Sequence, residues 1–127
     1  MSQTKKQLTG AWGEERAVAF LAKLGYTIIK RNYLVRGGEV DIIAWHDKPH
    51  FGRTLCFVEV KTREHDDGSA ERATGKDKLA HLFRAGTFYC LENKIDQNKT
   101  PIQFEQVSVY GAPTDLAPAV KHFIIPI

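Results

Sequence analysis

Two short runs rich in β-branched and aromatic residues, Glu39 to Trp45 (EVDIIAW) and Thr54 to Thr62 (TLCFVEVKT), flank a polar loop containing Pro49 and Gly52. Runs of this composition form strands, and strands adjacent in sequence are joined most economically as an antiparallel hairpin. A hairpin centred on His50 sets Trp45 opposite Leu55, Ile43 opposite Phe57, Asp41 opposite Glu59 and Glu39 opposite Lys61 on one face. The other face holds Ala44 with Cys56, Ile42 with Val58 and Val40 with Val60. Both faces are apolar in the middle, which is the pattern of a sheet covered on each side.

The rest of the chain supplies the covers. Thr4 to about Leu24 reads as a helix stopped by Gly25, a residue suited to the left-handed position past a helix end. Tyr26 to Tyr33 is a further strand, separated from the hairpin by Gly37 and Gly38. Arg63 to Gly75 lacks periodicity and reads as a mobile surface loop. A second helix is predicted from Lys76 to about Leu91, with Leu79, Leu82, Phe83, Gly86 and Cys90 at helical spacing. Two more strands lie near Ile102 to Tyr110 and Val120 to Ile125, and an apolar phase slip between Phe104 and Val107 predicts a bulge. This order implies an α/β fold with a central mixed sheet flanked by helices. At 127 residues, 43% apolar and 26% charged, the expectation is one globular domain over residues 1–127. No run approaches the roughly 20 apolar residues of a membrane span, and no secretory pattern opens the chain, so a cytoplasmic location is expected. Cys56 and Cys90 sit in apolar segments and are expected as reduced, buried thiols.

The acidic end of the hairpin asks for compensation. Asp41 opposite Glu59 would put two like charges about 5 Å apart at their Cβ atoms, which destabilises the pair unless a cation is near. Oxygen ligands of this kind suit Mg²⁺ or Mn²⁺. Lys61 points to the same side as Glu59 by the period of the strand, where it could orient a water or meet charge on a phosphoryl oxygen. The alternative is a solvated patch in which Glu39 pairs Lys61 and Asp41 is exposed. On the first helix, Arg16 and Lys23 fall on one side and Glu14 on the other, beside Val18 and Leu21. A glutamate in a buried arc needs a partner. Either it reaches Asp41 and Glu59, or it forms a salt bridge to Arg31 or Arg36.

With Gly10-x-x-Gly13-Glu14-x-x-Ala17, Arg31-Asn32-Tyr33, Gly37-Gly38-Glu39-Val40-Asp41-Ile42-Ile43-Ala44 and Phe57-Val58-Glu59-Val60-Lys61-Thr62-Arg63, the chain resembles the YraN family of small bacterial proteins. That family is similar to archaeal Holliday junction resolvases and belongs with the PD-(D/E)xK nucleases. The resemblance spans about residues 8–91. It implies a restriction-endonuclease-like fold, Mg²⁺ or Mn²⁺ held by Asp41, Glu59 and the Val60 backbone carbonyl, Lys61 as the catalytic lysine, and Glu14 completing the site. Val40 stands where the superfamily motif has its proline. Resolvase-like proteins usually dimerise, so a homodimer is part of the same implication.

Net charge is +3 with histidines neutral. Lys5, Lys6, Arg31, Arg36, Arg63, Arg72, Lys76, Lys78 and Arg84 flank the site in sequence and either line a groove for nucleic acid or solvate the surface; Arg31, Arg36, Arg63, Lys76, Lys78 and Arg84 are the candidates for nucleic-acid contact. His46, His50, His65, His81 and His122 show no metal-ligand spacing and read as surface or loop residues. The functional expectation is a metal-dependent nuclease acting on DNA rather than RNA, on branched or junction DNA in particular. The alternative is a non-catalytic nucleic-acid or protein binding module that retains the nuclease fold.

Overall fold

A computed structural model describes residues 4–72 and 75–126. Helix α1, Lys5–Lys23, starts at Thr4, whose hydroxyl accepts the Gln7 N–H at 3.1 Å while the Gln7 side chain accepts the Thr4 N–H at 2.9 Å. This reciprocal pair satisfies two N–H groups that the helix leaves open. Gly25, at φ +92, turns the chain out of the helix. Strands β1 (Thr27–Val35), β2 (Gly38–Lys48) and β3 (Gly52–Arg63) follow, then the single turn α2 (Ser69–Arg72), helix α3 (Lys76–Glu92), and strands β4 (Ile102–Tyr110) and β5 (Ala119–Ile125).

The strands form one five-stranded mixed sheet in the order β1-β2-β3-β4-β5. All neighbours are antiparallel except β3 and β4, which the crossover through α2 and α3 makes parallel. Helix α1 covers one face, burying Ala17 and Leu21 against Ile42, Ala44, Cys56, Val58, Val107 and Val109. Helix α3 covers the other, burying Leu82, Ala85 and Cys90 against Val40, Ile43, Leu55, Phe57 and Phe104. Cys56 and Cys90 are thus buried free thiols on opposite faces of the sheet. Among the described residues no helix is long and apolar enough to cross a membrane.

Two local expectations fail for identifiable reasons. Strand β4 has no bulge, since its register with β3 and β5 is continuous. The apparent phase slip arises because Glu105, Gln106 and Ser108 are buried with partners. The bulge lies instead in β1, between Ile28 and Lys30. The expected loop after β3 begins later, because Arg63 still pairs in the strand, and it contains α2. It is pinned at buried Ala70, whose N–H bonds the Tyr110 hydroxyl at 3.2 Å and whose carbonyl accepts the Gln106 amide at 3.2 Å. Positions 73–74 of that expected loop lie outside the described residues.

Candidate functional site

The β2–β3 hairpin follows the expected register from Lys48–Gly52 to Ile42–Val58, and its pairing ends there. Beyond this point β2 stays with β1, through Tyr33–Val40 and Leu34–Glu39. Strand β3 stays with β4, through Glu59–Gln106 to Arg63–Tyr110. The sheet therefore forks, and Asp41 stands at the fork. Its Oδ2 accepts the Val60 N–H at 2.7 Å, in place of the ladder bond a continuous hairpin would make. The N–H and C=O of one strand residue point to the same side, so the Val60 carbonyl is also directed into the opening.

A break in side-chain alternation accompanies the fork. Ile42 packs under α1, but Val40, two residues away, packs under α3. On β1, Arg31 reaches α1 at Glu14 and Glu15, whereas Tyr33 packs under α3. Between them Asn32 takes the left-handed conformation, φ 53, and no pair joins it to Asp41. The expected pairs Asp41–Glu59 and Glu39–Lys61 are therefore not formed.

A cleft of about 670 Å³ opens at the fork, walled by α1 and the end of β3, and Glu14, Asp41, Val60 and Lys61 all line it. Helix α1 leans on β3 here through Gly13, where a Cβ would collide with the Thr62 side chain. Glu14, on the next residue, faces the cleft but is held by Arg31, Nε to Oε1 at 3.2 Å. This is the salt bridge weighed as the alternative for Glu14, formed on the same cleft as Asp41. Glu59 is buried beside the cleft, and its Oε1 lies 3.1 Å from the Lys61 Nζ. Lys61 is thus answered by Glu59, two positions along its own strand, rather than by Glu39.

Burial, then the negative charge of Glu59, push the Asp41 carboxyl up to about 7; Glu14 and Glu39 add to this, and the Val60 N–H opposes it. Burial works against the charge of Lys61, but the carboxylates of Glu59 and Asp41 outweigh it and raise its pKa above the ordinary lysine value. Lys61 is therefore a firmly charged ammonium within a group of acids.

Among the described residues no three histidine, cysteine or acidic side chains are arranged to hold a metal ion, so no closed cage is present. The donors fit a different kind of cation. Asp41 Oδ1 makes no hydrogen bond within the described residues, the Val60 carbonyl faces the opening, and Glu14 and Glu59 stand near enough to act on the Asp41 charge. An all-oxygen, incomplete set suits Mg²⁺ or Mn²⁺, which keep several waters and take one or two carboxylates.

The basic residues divide. Arg63 lines the cleft, and Lys78 comes from α3 to within hydrogen-bonding reach of Lys61. Arg31 clamps Glu14, and Arg84 bonds the Gly37 carbonyl at 3.0 Å, across the turn that also carries exposed Arg36. Lys76 is exposed at the start of α3. Lys5 and Lys6, two of the basic residues that flank the site in sequence, line the cleft directly from the first turn of α1. Two histidines are not simple surface residues. His122 Nε2 lies 2.6 Å from buried Glu105, and His46 stacks on Tyr26 with ring centres 3.8 Å apart. These two histidines and their partners come from four segments far apart in sequence, β2, β4, β5 and the turn before β1, which spacing along the chain does not reveal.

An α/β protein with a mixed sheet between helices, and with its acids and lysine at the fork of adjoining strands, has the restriction-endonuclease-like architecture. The chain belongs to the uncharacterised protein family UPF0102, the YraN family, whose model matches residues 13–109. It is 37% identical to a UPF0102 protein of Syntrophus aciditrophicus, over 84% of this chain and 79% of that one. Identity to a UPF0102 protein of Koribacter versatilis is 43%, over 80% and 68% respectively. Identity to a UPF0102 protein of Caldicellulosiruptor saccharolyticus is 40%, over 83% and 84%.

Proposed function

We propose that this protein is a metal-dependent nuclease that hydrolyses phosphodiester bonds of DNA, with branched or junction DNA as the first substrate to test. The observation that carries the reading is the state of Asp41. It is a half-buried carboxylate at the mouth of a cleft, crowded by other acids and bonded, among the described residues, only to a backbone N–H, with an ammonium alongside. Asp41, Glu59 and the Val60 carbonyl would hold Mg²⁺ or Mn²⁺, with Glu14 as a further oxygen donor on the same cleft. When bound, the cation supplies an acidified water and a positive centre for charge developing on phosphorus. Lys61, fixed by Glu59, orients the attacking water and neutralises the phosphate oxygens as they gain charge. Arg63 and Lys78 supply phosphate contacts at the cleft edge, where affinity for nucleic acid needs no base recognition.

The test is cleavage of junction, linear duplex and single-stranded DNA, with an RNA control, in Mg²⁺, Mn²⁺ and EDTA. Cleavage should require the cation and fall by on the order of 10² or more in Asp41→Asn, a variant that keeps an acceptor for the Val60 N–H. Cleavage that persists in EDTA, or undiminished in Asp41→Asn, refutes the assignment. A wild type that binds DNA and cuts none of these substrates makes the protein a binding module on a nuclease fold.

A further inference from the structure

Gly10 sits in the interior of α1 with no local reason to be glycine. A Cβ there meets nothing within 4 Å among the described residues, and its φ is not positive. Neither close packing nor a left-handed backbone calls for it, and glycine is a poor helix former. Gly13, one turn on, is the contrasting case, because its place is dictated by contact with Thr62. A second choice against local helix stability lies one turn before Gly10. Lys5 and Lys6 occupy the first turn, which carries no acid, although the helix dipole favours negative charge there.

Lys5, Lys6 and Gly10 all line the cleft that contains Asp41 and Lys61, and Thr9 lines it between them. Local costs that packing leaves unexplained, gathered on one wall of one cleft, mark a surface shaped for a ligand. The chemistry of this wall is two ammonium groups, a hydroxyl and bare helix backbone. That combination fits a polyanionic chain approaching the helix more closely than any side chain would allow.

Resting on the nuclease reading above, we propose that the first half of α1 seats the DNA strand beside the scissile bond, with Lys5 and Lys6 neutralising its phosphates and Gly10 admitting its sugar–phosphate backbone against the helix. The neighbouring phosphate of a strand so placed lies toward Asp41 and Lys61. Gly10 is a positioning residue in this arrangement, and it takes no part in the chemistry.

Gly10→Ala, Gly10→Leu and the pair Lys5→Ala with Lys6→Ala test this by thermal melting, by anisotropy of labelled DNA in EDTA, and by cleavage in Mg²⁺. Gly10→Ala should melt a few degrees higher than wild type, at roughly 3 °C, and yet bind DNA more weakly. Gly10→Leu should weaken binding by on the order of tenfold, a loss of about 1.4 kcal/mol. The lysine pair should lower the salt dependence of binding by about two units. Gly10 variants that bind and cut DNA as wild type does, in a protein that does both, overturn this placement of the strand and leave the nuclease reading standing. A wild type that binds no DNA at any salt concentration overturns both.

Discussion

Asp41→Asn should make this protein more stable at alkaline pH and leave its stability unchanged in acid. The folded chain holds the Asp41 proton to about pH 7, against an ordinary value of 3.8, chiefly because of burial and then because of Glu59. Below about pH 3 both folded and unfolded chains are protonated and Asp41 costs nothing. As pH rises, the unfolded chain ionises first, so stability declines until the folded carboxyl ionises near 7. At about 1.36 kcal/mol per pKa unit, the whole shift corresponds to about 4 kcal/mol. Water in the open cleft screens the charges there and reduces this to roughly 2–3 kcal/mol. Asparagine removes that cost while its side-chain carbonyl still accepts the Val60 N–H. In EDTA at pH 8 the variant should melt roughly 6–12 °C above wild type, for a domain of this size, and the gap should narrow through pH 4.5 and close by about pH 3. Circular-dichroism melts across this range decide the matter. A gap that stays constant with pH, or a variant less stable than wild type at pH 8, would refute the account of how the fork holds Asp41.

Glu105 should behave in the opposite sense. Burial raises its pKa, but hydrogen bonds from His122, Tyr26 and Lys48 prevail and hold it at about 2. Its contribution to stability is present above the ordinary 4.5 and is lost as pH falls toward about 2. Glu105→Gln, which strands the nearly buried Lys48, should cost about 3–5 kcal/mol in a urea melt at pH 7. Lys61→Ala leaves buried Glu59 without its counter-ion and should destabilise by more than the about 1 kcal/mol of an exposed pair; Lys61→Arg, measured beside it, should recover most of the melting temperature. Cys56 and Cys90 should not cross-link, and oxidant should leave the mobility of the monomer on a non-reducing gel unchanged.

The hairpin register was legible because the apolar runs Ile42 to Trp45 and Leu55 to Val58 stand equally far from the centre of the polar loop at His50, so pairing outward from the loop aligns them. Glu14 was legible for a related reason, since helical spacing places it on the arc with Val18 and Leu21. The pairing of Asp41 with Glu59 and of Glu39 with Lys61 was not, because extrapolating a register assumes an unbroken ladder. Nothing local to Glu39 or Lys61 records that β2 follows β1 while β3 follows β4, or that Asn32 changes the phase of β1. Buried polar residues on β4 misled in the same way. Glu105 reads as a solvent-facing break in an apolar pattern until Lys48, Tyr26 and His122 are brought to it from distant segments.

Counter-ions distinguish Asp41 from the other acids that the fold takes out of water. Glu59 has Lys61, Glu14 has Arg31, and Glu105 has Lys48 and His122. Asp41, with Glu14, Glu39 and Glu59 raising its pKa, receives among the described residues one backbone N–H. Had packing alone set this residue, an asparagine would satisfy the Val60 N–H without the cost of burying a charge. The fork holds the carboxylate where two pairs of strands separate, and its Oδ2 stands in for the ladder bond that β2 does not make to Val60. A strained acid of this kind, facing a cleft with a firmly charged lysine and the Val60 carbonyl directed into the same opening, is a site at which a cation would relieve the repulsion. The physical argument for metal thus rests on Asp41 itself: Lys61 stands near enough to feel its charge but forms its ion pair with Glu59, and among the described residues no basic side chain pairs with Asp41 directly.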